Sequence, residues 1–152
     1  MEIKKELSLI DNMKLLIDPT LPLISNLSNI SSLLASFFKT SSWVGFYLKK
    51  EKENVLYLGP FQGSLACTII PFGKGVCGKC AEEKKTIIVE NVLEFEGHIA
   101  CSSSSRSEIV VPIIKDEVVV GVIDLDSDLY SSYSKEDGKL LEDVANIISI
   151  LF

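Results

Sequence analysis

The chain has 152 residues, 47% of them hydrophobic, and a formal net charge of −6, which is expected of one domain over 1–152 with a full core. The acidic balance argues against a nucleic-acid binder working by phosphate neutralisation, and no apolar run reaches the roughly 18 residues needed to cross a bilayer. The N-terminal "MEIKKELSLIDNMKLLID" lacks the uninterrupted apolar core of a signal peptide, so a cytoplasmic location is expected, where four cysteines suggest thiol chemistry or metal binding rather than structural disulfides.

Residues 1–39 carry apolar side chains at helical spacing, first Leu7, Ile10, Met13, Leu16 and Ile17, then Ile24, Leu27, Ile30, Leu33, Leu34 and Phe37. "DPTLP" (18–22) divides them into two helices, because proline resists a helix interior. The aromatic and β-branched "SWVGFYLKK" (42–50) reads as a strand, turning through "KKEKEN" into a second strand at "VLYLGPF" (55–61). "ACTIIPF" (66–72) is a third strand candidate, with Cys67 at its start. "GKGVCGKCAEEKK" (73–85) is a Gly-rich turn opening a short helix, and "TIIVENV" (86–92) returns to strand.

A polar loop, "GHIACSSSSR", follows, and "SEIVVPIIKDEVVVGVIDLDS" (107–127) forms a hairpin turning at Lys115–Glu117. The segment "SKEDGKLLEDVANIISILF" (134–152) begins on a serine cap, with Glu136 and Asp137 in its first turn. Its Leu140, Leu141, Val144, Ile147, Ile148 and Leu151 form one apolar stripe. Terminal helices around an antiparallel sheet of five or six strands define an α+β domain. The amphipathic helices also offer a surface for a homodimer.

Several side chains stand out as chemical candidates. Cys101 lies in the serine loop, so it is expected to be exposed, with His98 and Arg106 near in sequence as cations able to favour a thiolate. A buried, inert thiol is the competing description, but polar residues fill 102–107. Asp124 and Asp126 stand at i and i+2 and therefore share a strand face. Glu108, at the start of the preceding strand, is able to join them across the hairpin. Inward carboxylates are costly unless paired or used; such a group would hold a ligand ammonium and raise the proton affinity of at least one carboxyl. Trp43 and Tyr47 also share a strand face, as an aromatic wall or as plain core. "CGKC" (77–80) is a Cys-x-x-Cys, but no second such pair completes a zinc site, so no metal is expected and Cys80 should pack on the inner side of the short helix.

The segments "WVGFY", "LGPFQG", "GKGVCG", "GHIAC", "SRSEIVVP" and "GVIDLDS" together resemble the free methionine-(R)-sulfoxide reductases, enzymes of the GAF fold. The match runs through about residues 42–127, with several separate motifs in the same order. The resemblance implies a GAF-like sheet and a thiol-dependent reduction of free L-methionine-(R)-sulfoxide through a sulfenic acid and an intramolecular disulfide. It gives Cys101 the attacking role and Cys67 the resolving role, with Cys77 a third cysteine able to enter the exchange. Trp43 and Tyr47 would cradle the methyl group, while Glu108, Asp124 and Asp126 would hold the amino group and the sulfoxide oxygen. It implies no tightly bound cofactor, and a thioredoxin-type reductant drawing indirectly on NADPH. Cys80 has no counterpart in that pattern, and sequence separation alone leaves Cys67, Cys77 and Cys80 all open as partners for Cys101. A GAF module that senses a small molecule or redox state, without turnover, is the alternative from another functional class.

Overall fold

The computed structural model describes residues 8–152, so Leu7 of the first apolar series lies outside the described residues. Helices α1 (Leu9–Leu16) and α2 (Leu23–Phe37) are separated where the prolines require. Ser8 caps α1 by accepting from the Asp11 amide. The connection is pinned by Asn26, whose side chain accepts from the Asp18 amide and donates to the Asp18 carbonyl, both at 2.9 Å.

Six strands follow: β1 (Trp43–Lys49), β2 (Val55–Gln62), β3 (Ile69–Pro71), β4 (Ile87–Val89), β5 (Ser107–Lys115) and β6 (Val118–Ser127). They form one sheet in the order β3-β2-β1-β6-β5-β4, with antiparallel neighbours throughout. The β5–β6 hairpin turns through Asp116 and Glu117, both at positive φ (50° and 67°), which matches the right-handed twist of the flanking strands.

Two expectations needed shortening. The third strand begins at Ile69, so Cys67 sits in the loop before it rather than at a strand start, and the fourth strand ends at Val89. Both are edge strands with a partner on one side only, so flanking apolar residues are not drawn into a ladder.

Helix α4 (Lys135–Ile148) has the expected serine start, elaborated into a capping box in which Ser134 and Asp137 exchange side-chain-to-backbone bonds. It tightens into a 3₁₀ turn over Ser149–Leu151 rather than running to the end of the chain.

Strand alternation divides the molecule into two cores. Val44, Phe46, Ile109, Val111, Ile123 and Leu125 point to one face and pack against α1, α2 and α4. Trp43, Tyr47, Val110 and Val122 point to the other, covered by α3 (Gly75–Glu83) and adjoining loops. The terminal helices therefore seal one face, and the loops are left to shape the opposite one. Among the described residues, no helix is long and apolar enough to cross a membrane.

Candidate active site

The loop-covered face of the sheet carries a cavity of about 290 Å³, at the small end of the range for small-molecule sites. Its floor is set by register. Asp126 lies opposite both Trp43 of β1 and Glu108 of β5, and Asp124 lies opposite Gly45 and Val110. Because the side chains on one face recur at every second residue, Trp43, Tyr47, Glu108, Asp124 and Asp126 all converge on this cavity. All five residues proposed from the sequence as substrate contacts are thus neighbours.

The aromatic wall is tightly built. The Trp43 ring stacks on Phe61 with centroids 5.2 Å apart and on Tyr47 at 5.8 Å. Gly45 makes this possible, since a Cβ there would come within 2.7 Å of Trp43 Cη2. The polar ends of both aromatics bind the same loop: Trp43 Nε1 donates to the Ser64 carbonyl at 3.1 Å, and the Tyr47 hydroxyl donates to the Cys67 carbonyl at 2.9 Å. Phe61 and the Tyr47–Cys67 bond are features that pattern reading did not single out, although Phe61 belongs to the "LGPFQG" segment.

Cys67 and Cys101 form a disulfide, with Cα atoms 5.4 Å apart across 34 residues of sequence. It joins the loop after β2 to the serine loop at the cavity mouth, where Cys101 is exposed as expected. Cys77 and Cys80 are free and belong to α3, where both are buried in the core on this face of the sheet, so Cys80 packs on the inner side of that helix. Gly75, at the start of α3, has φ +62° and faces Ile99 of the serine loop, where an added Cβ would come within 3.1 Å. A glycine here both accommodates the left-handed backbone and lets the loop close down.

The acids are deeply buried: Glu108 and Asp124 are 5% and 4% exposed. Burial is the main force raising the proton affinity of all three carboxyls well above the ordinary range. The charge of Asp126 adds to it at Glu108, that of Glu108 at Asp124, and that of Asp124 at Asp126. Ser105 opposes the effect at Asp126 by donating to Oδ1 at 2.8 Å. Asp124 Oδ1 is buried with no hydrogen-bond partner among the described residues, although the Asp124 carboxyl as a whole also bonds with the side chains of Glu108 and Cys77.

Cys77 Sγ lies 3.9 Å from Glu108 Oε1, and its thiol is pushed far up by burial and then by the Asp124 and Glu108 charges. Cys77 is therefore held as a protonated thiol. Its sulfur and one oxygen each of Glu108 and Asp124 lie within 4.8 Å of one another, a spacing from which a metal ion can be held.

His98 and Arg106, the two side chains near Cys101 in sequence, have other attachments. His98 Nε2 is 3.7 Å from Glu108 Oε2, and burial lowers its proton affinity, which favours neutral imidazole. The Arg106 guanidinium donates to the carbonyls of Ser103 and Ser105 at 3.0 and 2.9 Å and so braces the serine loop from within. The loop is also fastened to the strand end by Ser104, which donates to Asp128 at 2.9 Å.

A six-stranded antiparallel sheet with the terminal helices on one face and a buried acid–aromatic pocket on the other is the GAF fold, and the GAF domain family model matches residues 27–152. The free methionine-R-sulfoxide reductase of Saccharomyces cerevisiae is 47% identical over 132 residues, 83% of this chain and 73% of the yeast protein. The Escherichia coli protein of the same name is 41% identical over 114 residues, 75% of this chain and 68% of that one. Among solved structures, free methionine-R-sulfoxide reductase from Neisseria meningitidis in complex with its substrate superposes with a TM-score of 0.89 at 42% identity, covering 95% of this chain and 85% of that one. The chain belongs to the free methionine-R-sulfoxide reductase family of GAF-fold enzymes.

Proposed function

We propose that this protein reduces free L-methionine-(R)-sulfoxide to methionine, with Cys101 as the attacking thiol and Cys67 as its resolving partner. The observation that carries this reading is the Cys67–Cys101 disulfide at the mouth of a pocket with an aromatic wall and buried acids on its floor. The methylsulfinyl group packs against Trp43 and Tyr47, since sulfur and its methyl group sit favourably against rings. The carboxylates take the substrate ammonium, and Asp124 Oδ1 has an open acceptor for it.

In the reduced enzyme the Cys101 thiolate attacks the sulfoxide sulfur. The S–O bond breaks as its oxygen passes to Cys101, with a proton supplied by a protonated carboxyl of the Glu108/Asp124/Asp126 group. Methionine leaves and Cys101 becomes a sulfenic acid. The Cys67 thiol then attacks the Cys101 sulfur, water departs, and the disulfide forms. A thioredoxin-type dithiol reduces that disulfide and is itself oxidised, drawing ultimately on NADPH. Cys77, protonated and deep, is a second-line thiol in this scheme. Its neutral S–H also lies against Glu108 without adding a charge to the acids.

The test follows NADPH oxidation through thioredoxin and its reductase when free methionine sulfoxide is added. Consumption is expected with the R epimer and absent for Cys101→Ser. Full turnover by Cys101→Ser would refute the assignment, and ligand binding without NADPH consumption would make the protein a sensory module.

A further inference from the structure

The floor of the pocket sets a thiol beside two of the carboxyls that the proposed reduction uses, a combination that reduction itself does not call for. Cys77 Sγ, a Glu108 oxygen and an Asp124 oxygen all lie within 4.8 Å of one another, and all three residues are buried while lining the cavity. A tetrahedral dication bound by thiolate at about 2.3 Å and by carboxylate oxygen at about 2.1 Å sets its ligand atoms roughly 3.5 Å apart. Cys77 Sγ and Glu108 Oε1 are already 3.9 Å apart, a few tenths of an ångström from such an edge.

Asp124 supplies a second indication, at the same acceptor that the proposed reaction offers to the substrate ammonium. Its Oδ1 is buried with no partner among the described residues, and the residue, 4% exposed, faces into the cavity. A buried acceptor without a donor calls for a ligand. One thiolate with two carboxylates suits zinc and its thiophilic analogues rather than magnesium or calcium, which take oxygen alone. His98, 3.7 Å from the other Glu108 oxygen, stands where an outer partner orients a ligating carboxylate.

We propose that the pocket binds a thiophilic divalent cation of the zinc type through Cys77, Glu108 and Asp124, and that the bound cation excludes substrate from the acids. The Cys77 thiol and any protonated carboxyl give up their protons to solvent as the metal–sulfur and metal–oxygen bonds form; nothing is oxidised or reduced. A water completes the coordination. The binding rests on the geometry alone. The exclusion of substrate rests on the reading that the same carboxylates hold methionine sulfoxide.

The two parts are separable by experiment. Co²⁺ alone is titrated into the disulfide-bonded protein, in which Cys67 and Cys101 are unable to ligate, without substrate or thiol reductant. A saturable cobalt–thiolate charge-transfer band with proton release is expected, retained in Cys80→Ser and lost in Cys77→Ser. Glu108→Gln, with folding verified by circular dichroism, should weaken binding at least about tenfold, since loss of a ligating oxygen should cost no less than the roughly 10- to 100-fold lost with an outer-shell partner. Absence of the band, its survival in Cys77→Ser, or wild-type affinity in Glu108→Gln overturns the site. Zn²⁺ should then raise KM for free methionine sulfoxide, with kcat unchanged, in an assay recycled by a thiol-free phosphine. Cobalt binding with unaltered KM overturns the exclusion of substrate and leaves the metal site standing.

Discussion

Asp124→Asn probes the buried acids through stability and activity together. The residue is 4% exposed, its Oδ1 has no partner, and the Glu108 charge disfavours its ionised form. A carboxyl whose proton affinity is raised by folding contributes fully below its unfolded pKa, about 3.9 for aspartate, and that contribution is lost as pH rises toward the folded value. Asparagine carries no such penalty and relieves the field on Asp126. The variant should match wild type at about pH 4, near the unfolded value, and exceed it increasingly toward about pH 8. An unpaired buried polar atom costs about 1–3 kcal/mol, and more when charged. In a domain of this length each kcal/mol moves Tm by about 2–4 °C. Thermal unfolding of the disulfide-bonded protein at the two pH values, in chelator, measures the gap. Over the same substitution, kcat/KM in the coupled assay should fall by about 100- to 10,000-fold, the range for losing a positioned proton donor. A variant that melts no higher than wild type at the upper pH, or a gap that narrows as pH rises, would refute the electrostatic reasoning.

Three further outcomes are expected. Reduction of the Cys67–Cys101 bond, which closes a loop over 34 residues, should lower unfolding stability by about 3–4 kcal/mol on the chain-entropy account, measured by urea unfolding with and without a phosphine reductant. Tyr47→Phe removes the hydroxyl that donates to the Cys67 carbonyl; stability should drop by about 1 kcal/mol, and stopped-flow thiol quantification should show slower disulfide closure after a single turnover. Cys80→Ser should leave turnover with the thioredoxin system intact, and disulfide mapping by mass spectrometry should still return Cys67–Cys101; loss of turnover in the variant, or a Cys101–Cys80 bond trapped in the wild type, would reassign the resolving thiol.

Local signals carried the fold, and register carried most of the site. The serine cap and acidic first turn at Ser134–Asp137 are contiguous and were readable directly. Asp124 and Asp126 share a face by strand periodicity alone, and the hairpin brought Glu108 opposite Asp126 because its turn was correctly located. Contacts that depend on where loops fold back were not legible. Arg106 bonds its own loop's carbonyls, and His98 turns toward Glu108; proximity to Cys101 in the chain specified neither. The same holds for the disulfide, whose partner was expected from family resemblance and not from spacing. The displaced start of the third strand has the opposite origin: "ACTIIPF" has the composition of a longer strand, but its ladder to β2 extends only over Ile69–Pro71.

The placement of the acids on β6 explains how the fold tolerates them. Ile123 and Leu125 alternate with Val122, Asp124 and Asp126 along that strand, and the two aliphatics are fully buried beneath the terminal helices. Burying each is worth about 1.5–3 kcal/mol, enough to offset an unpaired carboxyl oxygen at about 1–3 kcal/mol. A slip of one residue would put Asp124 among the helices and Leu125 in the pocket, so the aliphatics fix the register that the acids need. β6 is also bonded on both sides, to β1 and β5, which holds the carboxylates at fixed positions. The two sulfurs that must change partners in the proposed cycle are instead on connections outside the ladder, after β2 and before β5. Fixed carboxyl groups on a central strand and exchangeable sulfur on loops is the division of labour that the proposed stepwise thiol reduction demands.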